Sequence, residues 1–181
     1  MSVAISILRG INVSGHRKIP MKELKSLYSE LHLKNITTYI QSGNVVFSAD
    51  KINPKTLAKI IEQKISEKYN FDVPVIIRTI DEIQSVLRNN PFLKERSIEM
   101  DKLHVTFLAD HPGKENSEKL KSYHHEPDRF TIIDREIYLY CPGGYGNTKL
   151  SNNFFENKLK VTGTTRNWRT VNELLKIALV T

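Results

Sequence analysis

Apolar residues occur along the chain with two different spacings, and the order of these patterns predicts the fold. Short β-rich runs predict strands, whereas apolar residues three positions apart, such as Leu24 and Leu27, predict helices. In the first half the order is β-α-β-β-α-β, with helices opened by Pro20 and capped by Asn53. Strands are expected at residues 3–8, 36–40, 45–47 and 73–78. This order is typical of a ferredoxin-like plait.

The second half repeats the same order after a connecting helix at residues 81–88. Thr79 and Glu82 form a capping box at the start of that helix. Further strands are expected at 103–108, 130–133, 137–140 and 161–165, with helices at 117–123 and 150–159 and a last helix starting near Asn167. We therefore predict an α+β fold of tandem ferredoxin-like βαββαβ plaits, with an added connecting helix and a C-terminal helix. The predicted domains are residues 1–79, 80–100 and 101–181.

Composition agrees with an ordinary packed protein. The chain has 181 residues, of which 39% are hydrophobic, and this excludes collagen-like, disordered and disulfide-scaffold classes. No apolar run approaches the length of a membrane span, which is about 18 residues, and the N-terminus lacks the pattern of a signal peptide. We expect no membrane association and a cytoplasmic location. The single Cys141 lies in an alternating apolar stretch, where a thiol behaves as a small hydrophobic side chain.

The net charge is positive and is concentrated toward the two ends of the chain. There are 27 basic and 20 acidic residues, which gives +7. Residues 1–90 carry a net +5 and residues 151–181 carry +3, whereas the segment between them carries −1. If the ends meet in space, they form a positive surface that attracts phosphates or acidic partners.

Three strings in this sequence resemble a known family. They are ILRGINVSG at residues 7–15, TYIQSGNVVF at 38–47 and TGTTRNWRTV at 162–171. Their order and spacing are similar to those of the bacterial family called domain of unknown function 1697, over nearly the whole chain. The resemblance implies tandem ferredoxin-like plaits. It implies no activity, so no catalytic residue can be transferred to this chain.

The loop at residues 9–18 is the first candidate binding site. It lies between a strand and a helix, and its glycines have the separation found in a phosphate-binding P-loop. However, His16 and Arg17 replace the lysine and hydroxyl residue of that motif, and the helix begins too late, which argues against an NTPase. The alternatives left open are an anion loop, in which Arg9, Asn12, Arg17 and Lys18 contact the ligand, and a solvated loop whose glycines only form turns.

The hairpin turn at residues 41–44 is the second candidate site. Gln41, Ser42 and Asn44 place amide and hydroxyl groups at the tip of a predicted hairpin, where they can bind a polar ligand. The same residue types also stabilise turns without any ligand. Gln41 is the least easily explained by turn formation alone.

The junction at residues 164–169 is the third candidate site. Arg166 and Arg169 flank the start of the final predicted helix, and cations at a helix N-terminus suit an anionic ligand. In the alternative interpretation, Asn167 only caps the helix and Trp168 belongs to the core.

These observations favour a protein that binds an anionic ligand, either nucleic-acid backbone or a phosphorylated small molecule, in a basic cleft between the two plaits. One alternative is an enzyme acting on a small acidic or phosphorylated substrate, with Ser42, Asn44 or His16 near the chemistry. Another is a protein-interaction module that pairs through its edge strands. The sequence identifies no catalytic residue and no cofactor. It identifies no metal site either, because the adjacent His124 and His125 lack the spacing of a zinc site.

Overall fold

The computed structural model describes residues 1–51 and 53–181, which form two compact units. Met1–Gln84 and Glu173–Thr181 make up the first unit, and Ser85–Asn172 make up the second. The described residues have a mixed α+β fold with two four-stranded antiparallel sheets and six α-helices. None of these helices has the length and apolar character needed to cross a bilayer. The domain limits expected at residues 79 and 100 stay predictions about independent folding.

The first unit contains the predicted order of strands and helices. Its elements are β1 (Ser2–Leu8), α1 (Met21–Glu30), β2 (Lys34–Tyr39), β3 (Asn44–Ala49), α2 (Pro54–Tyr69) and β4 (Val75–Thr79). The strands lie in the order β2-β3-β1-β4, and every neighbouring pair is antiparallel. Strand β1 therefore has a partner on both sides, and residues 4–8 are fully buried. The loop that follows β1 starts from the most buried strand of this sheet.

One face of this sheet packs against α1 and α2. Alternate strand residues such as Ala4, Phe47 and Ile77 join the apolar sides of both helices in one core. The core also contains a polar contact, since the hydroxyl groups of Ser6 and Tyr28 lie 2.6 Å apart. Burial raises the pKa of the Tyr28 phenol above its ordinary value, and the ring meets Phe47 edge to face at 5.7 Å. The contact satisfies both buried hydroxyl groups and thereby fixes α1 on the sheet.

Two further elements link the first unit to the second, which repeats its strand order. They are the helices α3 (Ile80–Arg88) and α6 (Trp168–Leu179), within which the division between the units falls. The second unit contains β5 (Leu103–Leu108), α4 (Lys114–Lys121), β6 (Arg129–Ile133), β7 (Glu136–Tyr140), α5 (Asn152–Leu159) and β8 (Gly163–Asn167). Its antiparallel sheet has the order β6-β7-β5-β8, with a core that includes Leu120, Leu139 and Phe155.

The helix caps are present where the sequence predicts them. Thr79 N–H donates to Glu82 Oε2 at 2.8 Å, and Glu82 N–H donates to Thr79 Oγ1 at 3.3 Å, which is the predicted capping box. Asn167 Oδ1 accepts from Thr170 N–H at 2.7 Å at the start of α6. These side chains satisfy backbone donors that a helix leaves unpaired at its N-terminus.

Several predicted boundaries differ from the structure, and those of α4 and β8 are displaced at both ends by two or three residues. Helix α4 begins at Lys114 and not at residue 117, because its first turn is polar and exposed and gives no apolar periodicity. Strand β8 runs from Gly163 to Asn167 and not over residues 161–165. Its residues, which include Arg166, pair with residues 104–108 of β5, so tertiary pairing decides the strand where β-propensity does not.

A glycine between β2 and β3 brings the hairpin turn close to the loop that follows β1. Gly43 has φ +81°, and its carbonyl accepts from Leu8 N–H at 2.8 Å. A Cβ atom at this position would lie 2.7 Å from Ile11 Cδ1 and 2.8 Å from Leu8 Cβ. Both the backbone conformation and the space available therefore require glycine.

We expect Gly43→Ala to lower the free energy of unfolding by about 2–5 kcal/mol, because it combines backbone strain with overpacking. Gly15→Ala is the matched control, since Gly15 has φ +79° but its nearest neighbour, Lys18 Cε, is 4.0 Å from the added Cβ. The control should cost only about 1–2 kcal/mol. Urea unfolding of both variants measures the difference, and equal losses would show that the contact with Leu8 and Ile11 does not matter.

Candidate functional site

The loop at residues 9–19 folds back on itself to form a small hairpin. Asn12 N–H donates to Arg17 O at 3.1 Å across the loop, and Ser14 and Gly15 form the tip with φ values of 49° and 79°. Residues 13–18 are exposed, whereas Ile11 and Ile19 are buried at the base. The loop is therefore anchored at both ends and projects a short polar segment into solvent.

The side chain of Asn12 fastens this loop to the β2–β3 turn. Its Oδ1 accepts from Ile19 N–H at 2.8 Å, and its Nδ2 donates to Ile19 O at 3.0 Å and to Gln41 O at 2.8 Å. Its φ of 55° lies in the left-handed region, which asparagine tolerates better than most residues. The loop at 9–19 and the turn at 41–44, predicted as separate candidate sites, thus meet in one structure.

Within the turn, the polar side chains have different environments. Asn44 is fully buried, and its Nδ2 donates to Tyr39 O and to Ser42 Oγ, each at 3.0 Å. Ser42 is half-buried, and the side chain of Gln41 is exposed. Asn44 therefore holds the turn in shape, and Gln41 is the turn residue whose amide faces solvent. An amide cannot act as a general base, so the contact with Asn44 does not activate the Ser42 hydroxyl as a nucleophile.

The basic side chains of the loop lie next to this junction. Arg17 and Lys18 are exposed, and within the described residues neither forms an ion pair with a carboxylate. The guanidinium of Arg17 lies over the backbone at Gly10, where an added Cβ would be 3.6 Å from Arg17 Nη1. Arg9 is half-buried, and its N–H donates to Pro74 O at 2.9 Å. The loop therefore presents positive charge above a fixed backbone.

The third candidate site lies in the second unit, where two of its three residues are engaged in local contacts. Arg166 is 7% exposed, and its Nη1 donates to Thr164 Oγ1 at 3.0 Å and to Thr165 O at 2.9 Å. Burial lowers the pKa of the Arg166 guanidinium to about 10. Asn167 caps α6, as described above, and Arg169 is exposed in the first turn of that helix. The expected cleft between the units stays a prediction.

A second buried arginine, Arg78, was not identified by the sequence analysis. It is 1% exposed, and its Nη1 donates to the carbonyl of the preceding residue, as that of Arg166 does. Arg78 pairs with Ile5 on β1, and Arg166 pairs with Val105 on β5, at equivalent positions of the two sheets. Each arginine comes directly before the residue that caps the next helix. The order of an arginine, a capping residue and a helix occurs twice in the sequence, and this repeat is the signal that could have identified Arg78.

The thiol of Cys141 is unsuited to nucleophilic chemistry. It is fully buried, and burial together with the nearby Asp128 carboxylate raises its pKa to about 11. The thiol is therefore protonated at neutral pH, whereas the thiolate is the reactive form. Within residues 1–51 and 53–181, no three His, Cys, Asp or Glu side chains come together in a way that could hold a metal ion.

We expect Asn12→Ala to lower the free energy of unfolding by about 1–3 kcal/mol and to speed amide exchange at Ile19, because the loop loses its anchoring hydrogen bonds. Asn70→Ala is the control, since Asn70 is exposed with φ 58° and forms the C-cap of α2 through its backbone. Urea unfolding and hydrogen exchange measure both effects. An equal loss in both variants, with unchanged exchange at Ile19, would refute the anchoring role of Asn12.

The fold of this chain is similar to that of a solved bacterial protein. The solved structure of the conserved bacterial protein SP0830 from Streptococcus pneumoniae matches with a TM-score of 0.77, at 19% sequence identity and over 98% of each chain. At this identity the likeness shows the fold alone. No curated protein matches the sequence.

A family model described as "Protein of unknown function (DUF1697)" matches residues 1–138. The strings at residues 7–15 and 38–47, which form the anchored loop and the turn, lie inside this match. The string at 162–171 lies beyond it. Since the match covers well over half of the sequence, the chain belongs to the family of proteins of unknown function DUF1697.

Proposed function

We propose that this protein binds an anionic ligand, either nucleic-acid backbone or a phosphorylated small molecule, at the loop of residues 9–18. The observation that supports this most is the pair Arg17 and Lys18, which are exposed cations without a carboxylate partner among the described residues. Elsewhere on the surface, several cations are paired with a carboxylate, as in Lys119 with Glu115 at 2.6 Å. An unpaired cation keeps its full attraction for an anion.

The anchored loop supports binding in a second way. A ligand that orders a flexible loop loses part of its binding free energy to that ordering, and an anchored loop avoids this loss. Here Asn12 closes the loop through bonds of 2.8 and 3.0 Å with Ile19, and it holds the loop to the β2–β3 turn through a bond of 2.8 Å to Gln41 O. The arginine side chain can also donate two parallel hydrogen bonds to a phosphate or carboxylate. The loop thus combines a fixed backbone with donors suited to oxyanions.

The proposed roles differ among the predicted residues. Arg9, Arg17 and Lys18 would contact the anion, and the exposed amide of Gln41 would add a neutral hydrogen bond. Asn12, Ser42 and Asn44 would hold the loop and turn in place. Arg169 stays a proposed contact of the second unit, whereas the contacts of Arg166 and Asn167 suit a structural role.

We also propose that each unit is a ferredoxin-like plait. The element order β-α-β-β-α-β and the sheet orders β2-β3-β1-β4 and β6-β7-β5-β8 support this assignment. The equivalent pairing of Arg78 and Arg166 supports descent of both units from one repeated pattern.

We expect the thermal unfolding midpoint to rise with at least one member of a panel of nucleotides, sugar phosphates, inorganic pyrophosphate and short single- and double-stranded oligonucleotides. For that compound, Arg17→Ala/Lys18→Ala should weaken binding at least about tenfold and reduce the slope of log affinity against log salt by about one to two. The control Lys51→Ala/Lys59→Ala removes the same charge from exposed positions of the same unit and should change affinity by no more than about twofold.

Equal weakening in both double variants would show that only net charge matters, and it would refute a site at the loop. A panel in which no anion raises the midpoint at low salt would refute anion binding itself. Stabilisation by one small anion but by no oligonucleotide would support a site for a phosphorylated small molecule over one for nucleic-acid backbone.

A further inference from the structure

A groove of about 510 Å³ lies along the outer edge of β6 in the second unit. Strand β6 is the edge strand of its sheet, and residues 128–132 all line the groove. Its volume falls within the range of about 300–1,000 Å³ that is typical of ligand sites in proteins. All lining residues belong to the second unit, so the groove is separate from the loop at residues 9–18.

The hydrogen-bond register of the sheet shows which backbone groups face this groove. At the two ends of β7, the flanking Cys141 N–H donates to Lys102 O and the flanking Arg135 O accepts from Leu108 N–H. The backbone groups of the odd-numbered residues of β7 therefore point toward β5. The even-numbered residues of β7 therefore bond to β6, where they oppose residues 129, 131 and 133. By alternation, the N–H and C=O groups of Phe130 and Ile132 point away from β7 into the groove.

These outward groups have the spacing of a strand. Phe130 and Ile132 are two residues apart, so their donors and acceptors repeat about every 6.8 Å, which is the two-residue repeat of an extended chain. Within the part of the chain that the structure describes, these groups form no hydrogen bond outside the sheet, and both residues are half-buried. Proteins often protect an open edge with charged side chains, Pro or a bulge. Strand β6, with the sequence RFTII, has neither Pro nor a bulge, and its one charged residue, Arg129, is engaged with Glu95.

Two fixed aromatic walls stand on opposite faces of the sheet beside this edge. On one face, the Arg129 guanidinium lies 5.2 Å from the centre of the Phe92 ring and forms two hydrogen bonds with Glu95, at 3.1 and 2.9 Å. On the other face, Tyr123 packs against Phe154 of α5 at 4.8 Å. Phe92 and Tyr123 both line the groove. These contacts hold both walls in place before any ligand arrives.

We propose that this groove binds an extended peptide segment of another protein, which adds to β6 as a fifth strand. Strand addition supplies main-chain hydrogen bonds to Phe130 and Ile132, and the half-buried ring of Tyr123 favours an apolar peptide side chain beside it. A peptide strand pairs with both the outward N–H and the outward C=O groups, whereas the phosphate oxygens of a nucleic acid only accept and leave the C=O groups unpaired. This peptide is a ligand distinct from the anion proposed for residues 9–18.

The test uses selection of random linear peptides, displayed on phage, by the full chain. Ile132→Pro removes one outward N–H and leaves the bonds between β6 and β7, since proline is tolerated at such an edge position. Ile132→Ala is the matched control, because it removes the same side chain but keeps the N–H. We expect a synthetic copy of a selected peptide to bind the wild type and Ile132→Ala, and to bind Ile132→Pro at least about tenfold more weakly.

Hydrogen exchange on the unaltered chain gives an independent readout. The amide of Ile132 should become protected when the peptide is added, whereas the amide of Thr131, which faces β7, should be protected with and without it. Protection at Thr131 in Ile132→Pro would also show that the sheet of that variant is intact. Arg17→Ala/Lys18→Ala should bind the peptide as the wild type does, which separates this proposal from anion binding.

Three results would overturn the proposal. The first is a selection that enriches no peptide. The second is equal peptide affinity in Ile132→Pro and Ile132→Ala, and the third is unchanged exchange at Ile132 on peptide addition.

Discussion

The close approach of Gly43 to Leu8 and Ile11 determines the geometry of the first unit's surface loop. An added Cβ would lie 2.8 Å from Leu8 Cβ, so the hairpin turn can touch the end of β1 only where the side chain is absent. This contact brings the turn within reach of Asn12, whose amide then bonds to both segments. The positions of the exposed cations Arg17 and Lys18 depend in turn on this contact, because both residues lie on the loop that Asn12 anchors.

The two units repeat one sheet order but differ in their connections. In the first unit, residues 9–20 connect the central strand β1 to its helix, and they form the basic loop. In the second unit, only residues 109–113 connect β5 to α4. The second unit instead has the groove beside β6, with walls from Phe92 and Tyr123. The repeated features, such as Arg78 and Arg166, are buried, whereas the features that differ lie at the surface, where ligands bind.

Much of the fold could be predicted from the sequence because local signals agreed with the tertiary structure. Asn53, Thr79 and Asn167 cap helices as expected, since a cap depends on only a few neighbouring residues. Strand β8 was misplaced because its threonines, arginine and asparagine give little apolar pattern, and pairing with β5 sets its limits. The first turn of α4 is polar as well, so it gave no helical periodicity of apolar residues.

The candidate sites were less predictable, because burial and contact at long range decide them. Arg166 has the sequence context of an anion site, yet the fold places it at 7% exposure with partners in its own strand. The bonds from Asn12 to Ile19 and to Gln41 cross 7 and 29 positions of sequence, so no local pattern could show them. The groove beside β6 is lined by residues within two separate segments, 91–95 and 121–132, and no sequence motif marks it.

A proton–nitrogen NMR titration of the unaltered chain with inorganic pyrophosphate, and separately with a short single-stranded oligonucleotide, tests the central claim most directly. If the anchored loop is an anion site, one of these probes will shift the amide resonances of residues 14–18 saturably, and those along the lysine-rich helix α2 will stay nearly unchanged. If the largest shifts lie elsewhere, or if they never saturate with either probe, the loop is not an anion-binding site.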